Sequence, residues 1–285
     1  MRVLFLCSLV LLSSGAFAET RSIGVSAVEF SKDQRSDIMV KASTGEVFWI
    51  SATDQHLVSK LQDGQAIERI VNADVDSGGF ITELSVTSQK AEAPEFETIG
   101  NENKEIFYPT VLPSEAYARD AFNSLDNRTH EDSQCYNRAH PWAYDLWRTR
   151  GINSMKIFLF FTDKYIREFR HKWWFHVAPM TYVSTAQGSV EYVLDRSFSE
   201  IPLFTRVWTN TFILNQAECR SVNTYFEYFK DSPTEYCYLI RSTMFYRGTV
   251  ALRNRDQGTL KTKWNLKEMR EAREQAFIYA NDYNP

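Results

Sequence analysis

A thiol, an imidazole and a carboxylate follow one another along the chain. Cys135 lies in Cys135-Tyr136-Asn137-Arg138-Ala139-His140, His176 in Trp173-Trp174-Phe175-His176-Val177-Ala178-Pro179, and Asp195 in Val193-Leu194-Asp195-Arg196-Ser197. Together they are the minimum for cysteine nucleophilic catalysis: sulfur attacks, the ring carries the proton, and the carboxylate fixes the ring. Each residue has a plainer reading beside this one. A histidine in an aromatic strand is commonly a hydrogen-bonded core residue, an aspartate at a strand end commonly a turn residue, and a cysteine commonly buried and inert. His140 and His171 are rival bases. With Cys135 and His176 they could also form a metal set, but no CxxC or HxxxH spacing supports zinc, and no metal or cofactor is expected.

Cysteine counting bears on the same point. Residues 1–18 read as a secretory signal peptide, with Arg2 as the positive end, Val3–Leu12 as the apolar run and Ala16-Phe17-Ala18 as the cleavage site. The expected location is therefore secreted or periplasmic, an oxidising compartment where paired cysteines form disulfides. Cys135, Cys219 and Cys237 remain after Cys7 is removed. Cys219 and Cys237 are close in sequence and are expected to pair, which leaves Cys135 as the odd thiol. The apolar run is too short to span a bilayer, and a formal charge of −4 with a pI near 5.8 gives no support for binding nucleic acid or an anionic membrane surface.

The elements must bring these groups together. Residues 19–90 read as a small β-rich unit, with short apolar runs separated by Thr44-Gly45, Asp63-Gly64 and Ser77-Gly78-Gly79 and a helix between Thr53 and Gln62. Residues 91–111 read as an acidic linker, exposed, unable to bury much surface and suited to proteolytic cutting. From 112 to 285 the pattern is α+β. A helix opens at Pro113-Ser114-Glu115, and a second starts at Cys135, capped by Asp132 or Ser133, kinked by Pro141 and stopped by Gly151. A thiol on its first turn lies at the positive end of the helix dipole, which favours a thiolate. Met155–Phe161, Lys172–Val183 and Val190–Asp195 read as strands. A plain hairpin of the last two, centred between Thr185 and Ala186, sets Asp195 directly opposite His176 on one face, Cβ atoms ~5 Å apart. Phe204–Leu214, Tyr225–Phe229, Tyr236–Arg241 and Phe245–Leu252 read as strands or irregular core, and Asn265 caps a closing helix.

The motifs C-Y-N-R-A-H, W-F-H-V-A-P and V-L-D-R-S-F, followed by Trp208, resemble the bacterial protein-glutaminase (protein-glutamine deamidase) family in order and spacing. The family pattern is close to C-Y-x-R-A-H, W-x-H-V-A and I-D-P-S-L followed by a tryptophan; Arg196 here replaces the proline. The resemblance implies a papain/transglutaminase-like core over residues 112–285, with a nucleophile helix packed on an antiparallel sheet. It also implies a Cys135–His176–Asp195 triad and hydrolysis of glutamine side chains in peptides or proteins to glutamate and ammonia. A pro-region, here residues 19–90, would cover the site until cleaved. The oxyanion is expected to meet the Cys135 backbone N–H, with Gln134 and Trp174 as further substrate-positioning candidates. A cysteine protease or transglutaminase would use the same triad, and a secreted binding protein with a dead hydrolase fold is the non-enzymatic alternative.

Overall fold

The computed structural model describes residues 18–30, 36–62, 66–91, 96–99, 107–129, 134–214, 217–247 and 264–282, with side chains as far as 276 in the last helix. The signal-peptide reading, the Asp132 and Ser133 caps and most of the acidic linker lie outside these residues. So do the far end of the Phe245–Leu252 segment and the side chain of Phe277.

An N-terminal antiparallel sheet is built from β1 (Glu19–Glu29), β2 (Ile38–Ala42), β3 (Val47–Ile50), β4 (Arg69–Val75) and β5 (Ile81–Lys90), in the order β3-β2-β1-β4-β5. A helix α1 (Gln55–Gln62) closes one face, burying Leu57, Val58 and Leu61 against Val25, Val40, Ile50 and Val71. Asp54 starts it by accepting from the Leu57 N–H. The N-terminal part of the chain thus has an apolar core of its own.

The C-terminal part packs helices on a second, mostly antiparallel sheet. Its centre is β7 (Met155–Phe161), β8 (Phe175–Thr185) and β12 (Cys237–Thr243), flanked by β9 (Gly188–Val193). Strands β6 (Val111–Leu112), β10 (Leu203–Phe204) and β11 (Arg220–Ser221) are short additions, β6 lying parallel to β8. Helix α2 (Glu115–Asn123) is capped by Ser114, whose hydroxyl accepts from the Tyr117 N–H. The fold class is the α+β expected.

Helix α3 (Cys135–Arg150) packs on β8 and on the last helix, α6 (Leu266–Asp282). Ala139, Trp142, Ala143 and Leu146 are buried, a helical-period stripe. Gly151, at φ 65°, ends the helix: its N–H donates to Trp147 O and the Ile152 N–H to Leu146 O. Pro141 does not break the helix, which continues unbroken through it. The residue before the first turn is Gln134, which gives no side-chain cap; its carbonyl instead accepts from the N–H groups of Asn137 and Arg138.

Three sequence expectations need correction. Segment 163–169, unassigned above, is a helix, α4 (Asp163–Phe169), capped by Thr162. Within Phe204–Leu214 the structure forms α5 (Thr205–Asn210), and Tyr225–Glu227 is a 3-10 turn. The linker is not wholly exposed: Phe96, in a 3-10 turn Phe96–Thr98, and Ile99 are buried in the same apolar cluster as Cys135.

The two sheets meet along one line. The turn between β2 and β3 lies against the chain entering β8: Val47 N–H donates to Lys172 O at 2.7 Å, and Trp174 N–H to Gly45 O at 2.8 Å. Gly45 is required there, because φ is 100° and a Cβ would come within 3.2 Å of the Phe175 carbonyl oxygen. Beside this line Lys41 is buried against Asp163 at 2.5 Å, and Lys230 reaches Glu29 at 2.9 Å.

Candidate active site

Cys135 is the first residue of α3 and is fully buried. The first N–H groups of a helix have no intrahelical acceptor, so its thiol shares its position with unpaired donors and the positive end of the dipole. Cys219 and Cys237 form a disulfide, leaving Cys135 as the one free cysteine among the described residues.

His176 is the second residue of β8, and Asp195 lies two residues beyond β9. The hairpin turn is Ala186-Gln187, closed by Thr185 opposite Gly188, so Met180 faces Val193. The hairpin centre is therefore one position later than expected, and Asp195 is not directly opposite His176. The offset amounts to two residues in register, which preserves the face. The two side chains still meet: His176 Nε2 and Asp195 Oδ2 are 2.7 Å apart, both buried.

A second donor to the same oxygen comes from α5, where Trp208 Nε1–H donates to Asp195 Oδ2 at 2.9 Å. This is why a segment rich in aromatic and β-branched residues is helical here: one turn aims the indole at the carboxylate. Phe198, Phe212 and Trp208 surround the His176 ring, with centroids at 5.0, 4.6 and 5.8 Å. Burial works to raise the Asp195 pKa, but the charge and hydrogen bond of His176, the Arg138 guanidinium and the Trp208 donor outweigh it, and Asp195 stays below the usual carboxylate range. Burial likewise works against the imidazolium. The Asp195 carboxylate and the neighbouring Cys135 thiol more than offset it, and His176 titrates above its ordinary value.

With Asp195 ionised, Nε2 carries the proton it donates, and the lone pair of the neutral ring is on Nδ1. Nδ1 makes no hydrogen bond of ordinary geometry. The Cys135 thiol is nonetheless close enough to the ring to favour its protonated form.

The remaining candidates make other contacts. Gln134 accepts from the Asn137 side-chain amide through its own amide oxygen. Trp174 Nε1–H donates to Ala42 O at 2.8 Å, so its indole holds the N-terminal part of the chain. His140 sits between Lys156 and Glu268, on the second turn of α3, and burial followed by the Lys156 charge lowers its pKa to about 3. His171 packs on Phe161 and Tyr165, and burial lowers it to about 4. Neither rival base adjoins the thiol. Among the described residues no group of three or more His, Cys, Asp or Glu is placed to hold a metal ion, and no helix is long and apolar enough to cross a membrane.

Sequence reasoning gave Arg138 no part and used Trp208 only as a motif landmark. Arg138 is three residues after Cys135 on the same helix and is buried, with its guanidinium 5.7 Å from the Phe198 ring. The i, i+3 spacing placed it on the thiol's face; its charge near Asp195 was not readable without the β8–β9 hairpin. Arg196, in place of the family's proline, lies over Phe122 and donates to the Asn123 side chain.

A family model described as "Glutaminase" matches residues 116–212, the segment that carries all three groups. Over that segment, and not over the rest of the chain, the sequence is similar to that family. Solved structures give weaker likenesses. A crystal structure of the A47Q2 mutant of pro-protein-glutaminase is 17% identical, with a TM-score of 0.48, covering 79% of this chain and 84% of that one. The crystal structure of pro-protein-glutaminase is 17% identical, at 0.46, covering 79% and 83%. The NMR structure of protein-glutaminase from Chryseobacterium proteolyticum is 20% identical, at 0.32, covering 38% and 67%. No curated protein matches the chain. The glutaminase match supports an amidohydrolase.

Proposed function

We propose that the protein is a secreted or periplasmic protein-glutamine deamidase in which Cys135, His176 and Asp195 act as nucleophile, proton carrier and orienting carboxylate. The observation that carries this reading is the buried His176 Nε2–Asp195 Oδ2 pair at 2.7 Å. It commits one ring nitrogen and leaves the other as the base beside the free thiol. In the reaction, Nδ1 takes the thiol proton and the sulfur attacks the side-chain carbonyl carbon of a glutamine. The tetrahedral oxyanion is met by the Cys135 backbone N–H and by Gln134, whose amide oxygen is already engaged with Asn137, leaving its N–H donors. His176 returns its proton to the amide nitrogen, the C–N bond breaks and ammonia leaves. Water, deprotonated by His176, then attacks the thioester carbon, and the C–S bond breaks to give glutamate and the free thiol.

The same reading assigns residues 112–285 to a papain/transglutaminase-like catalytic domain and residues 19–90 to a pro-region over the site. The Gly45 turn seated on Phe175, one residue before His176, supports that assignment. So does the use of Trp174 to hold Ala42. The deciding assay uses a glutamine-blocked dipeptide and a protein substrate after a cut in segment 91–111. Ammonia release without peptide-bond cleavage or amine incorporation is expected, and Cys135→Ala should abolish it with little change in melting temperature. Backbone cleavage would give the protease reading instead, and amine incorporation the transglutaminase one. No chemistry from the cut protein, on any of these substrates, would leave a binding protein.

A further inference from the structure

Phe96 occupies a seat made of other rings. Its centroid lies 4.9 Å from Phe175, 5.1 Å from Phe160, 5.4 Å from Trp174, 5.4 Å from Tyr225 and 6.0 Å from Phe158. Against four of these the interplanar angle is between 71° and 83°, so they meet it edge to face. That arrangement suits a flat aromatic ring and gives an aliphatic chain no matching quadrupole. All five seat rings belong to the C-terminal part of the chain. The ring that fills the seat comes from a single 3-10 turn in the acidic segment with Glu92, Glu95, Glu97, Glu102 and Glu105. The seat lies at the end of β8 that also bears His176: Phe175 immediately precedes it, the two side chains pointing to opposite faces of the sheet, and the Phe175 ring stacks at 6.4 Å on that of Tyr136, which immediately follows Cys135.

We propose that the seat now filled by Phe96 is a substrate subsite, taking an aromatic side chain that flanks the target glutamine. This rests on the deamidase reading and deepens it. When the linker is cut beyond Ile99 and its N-terminal piece leaves, the ring leaves with it. The seat is then an apolar, ring-lined hollow at the end of the sheet, reached round that end by a chain whose glutamine lies at Cys135. A phenylalanine, tyrosine or tryptophan near the target glutamine replaces the lost contacts; an alanine does not.

The test uses the full chain, cut by limited proteolysis on the C-terminal side of Ile99, the cut position read by mass spectrometry. Ammonia release is measured on acetylated peptide amides with a central glutamine, carrying Phe or Ala at each of the flanking positions. At one position Phe should exceed Ala by about 10-fold in kcat/KM, and Tyr225→Ala should reduce that ratio to about 2-fold or less. If ammonia is released from the all-Ala peptide and no position prefers Phe, the subsite is refuted while the deamidase reading stands. If no glutamine peptide or protein releases ammonia, the deamidase reading fails and the subsite with it. A second measurement avoids proteolysis: N-acetyl-phenylalaninamide should bind to uncut Phe96→Ala, read by tryptophan fluorescence, and not to the uncut parent. A folded Phe96→Ala that does not bind it also overturns the proposal.

Discussion

Asp195 Oδ2 accepts from both His176 Nε2 and Trp208 Nε1 inside a fully buried pocket. One carboxylate oxygen thus holds a ring from the sheet and a ring from α5, so the angle of the imidazole depends on both. Trp208→Phe keeps the packing and removes one donor. It should cost about 10-fold in kcat/KM, or about 1.4 kcal/mol, with the secondary structure unchanged by circular dichroism. Asp195→Asn goes further, removing the charge while burial remains. The His176 pKa lies above its ordinary value because of that charge, so the acid limb of kcat/KM against pH, set by protonation of this base, should move to lower pH in Asp195→Asn. A loss of about 10³-fold or more at the optimum is expected, on the scale of orienting carboxylates in triads. Unchanged limb positions in a pH–rate series would contradict the role of the carboxylate.

Element by element, the sequence was most informative where one local interaction decides the structure. Gly151 ends α3 because the αL conformation at that point suits glycine, and Met155–Phe161 is a strand over the predicted residues because it is a short continuous apolar run. The pairing of Cys219 with Cys237 followed from their closeness and is present. The hairpin was legible only to its face. Its centre depends on which residues make the turn, and nothing in Thr185-Ala186-Gln187-Gly188 separates the two adjacent choices except a glycine suited to φ 112°. α5 was hidden because Thr205, Val207 and Thr209 are β-branched, and tertiary contact of Trp208 outweighs their propensity. The buried linker residues were hidden by their acidic neighbours. Gly188→Ala meets no atom within 4 Å, so its cost is backbone strain alone, about 1–2 kcal/mol. Denaturant unfolding should show that loss, with activity per folded molecule retained.

The whole molecule is two sheets joined by a hydrogen-bonded turn and a buried ion cluster. Lys41 from the first sheet is buried against Asp163, and losing one partner of such a pair typically costs about 3 kcal/mol or more. Lys41→Met should therefore weaken the seating of the N-terminal part, and ammonia release by the uncut chain should rise above that of the parent. Protonation acts on two histidines of the C-terminal part. His140 and His171 are held neutral, at about 3 and about 4 against an ordinary 6.5. Below pH 6.5 the unfolded chain takes up protons that the folded one refuses, so their contribution, full above that value, is lost as pH falls toward 3. For the fully buried His140 this is on the order of 5 kcal/mol, and His140→Gln should flatten the fall of melting temperature between pH 6.5 and 4. The disulfide has a further use at this scale. With the other two sulfurs bonded to each other and Cys135 sealed inside the docked chain, an alkylating reagent has one target among the described residues. Its rate of incorporation, followed by mass spectrometry, is then a clock for how often the structure opens at Cys135.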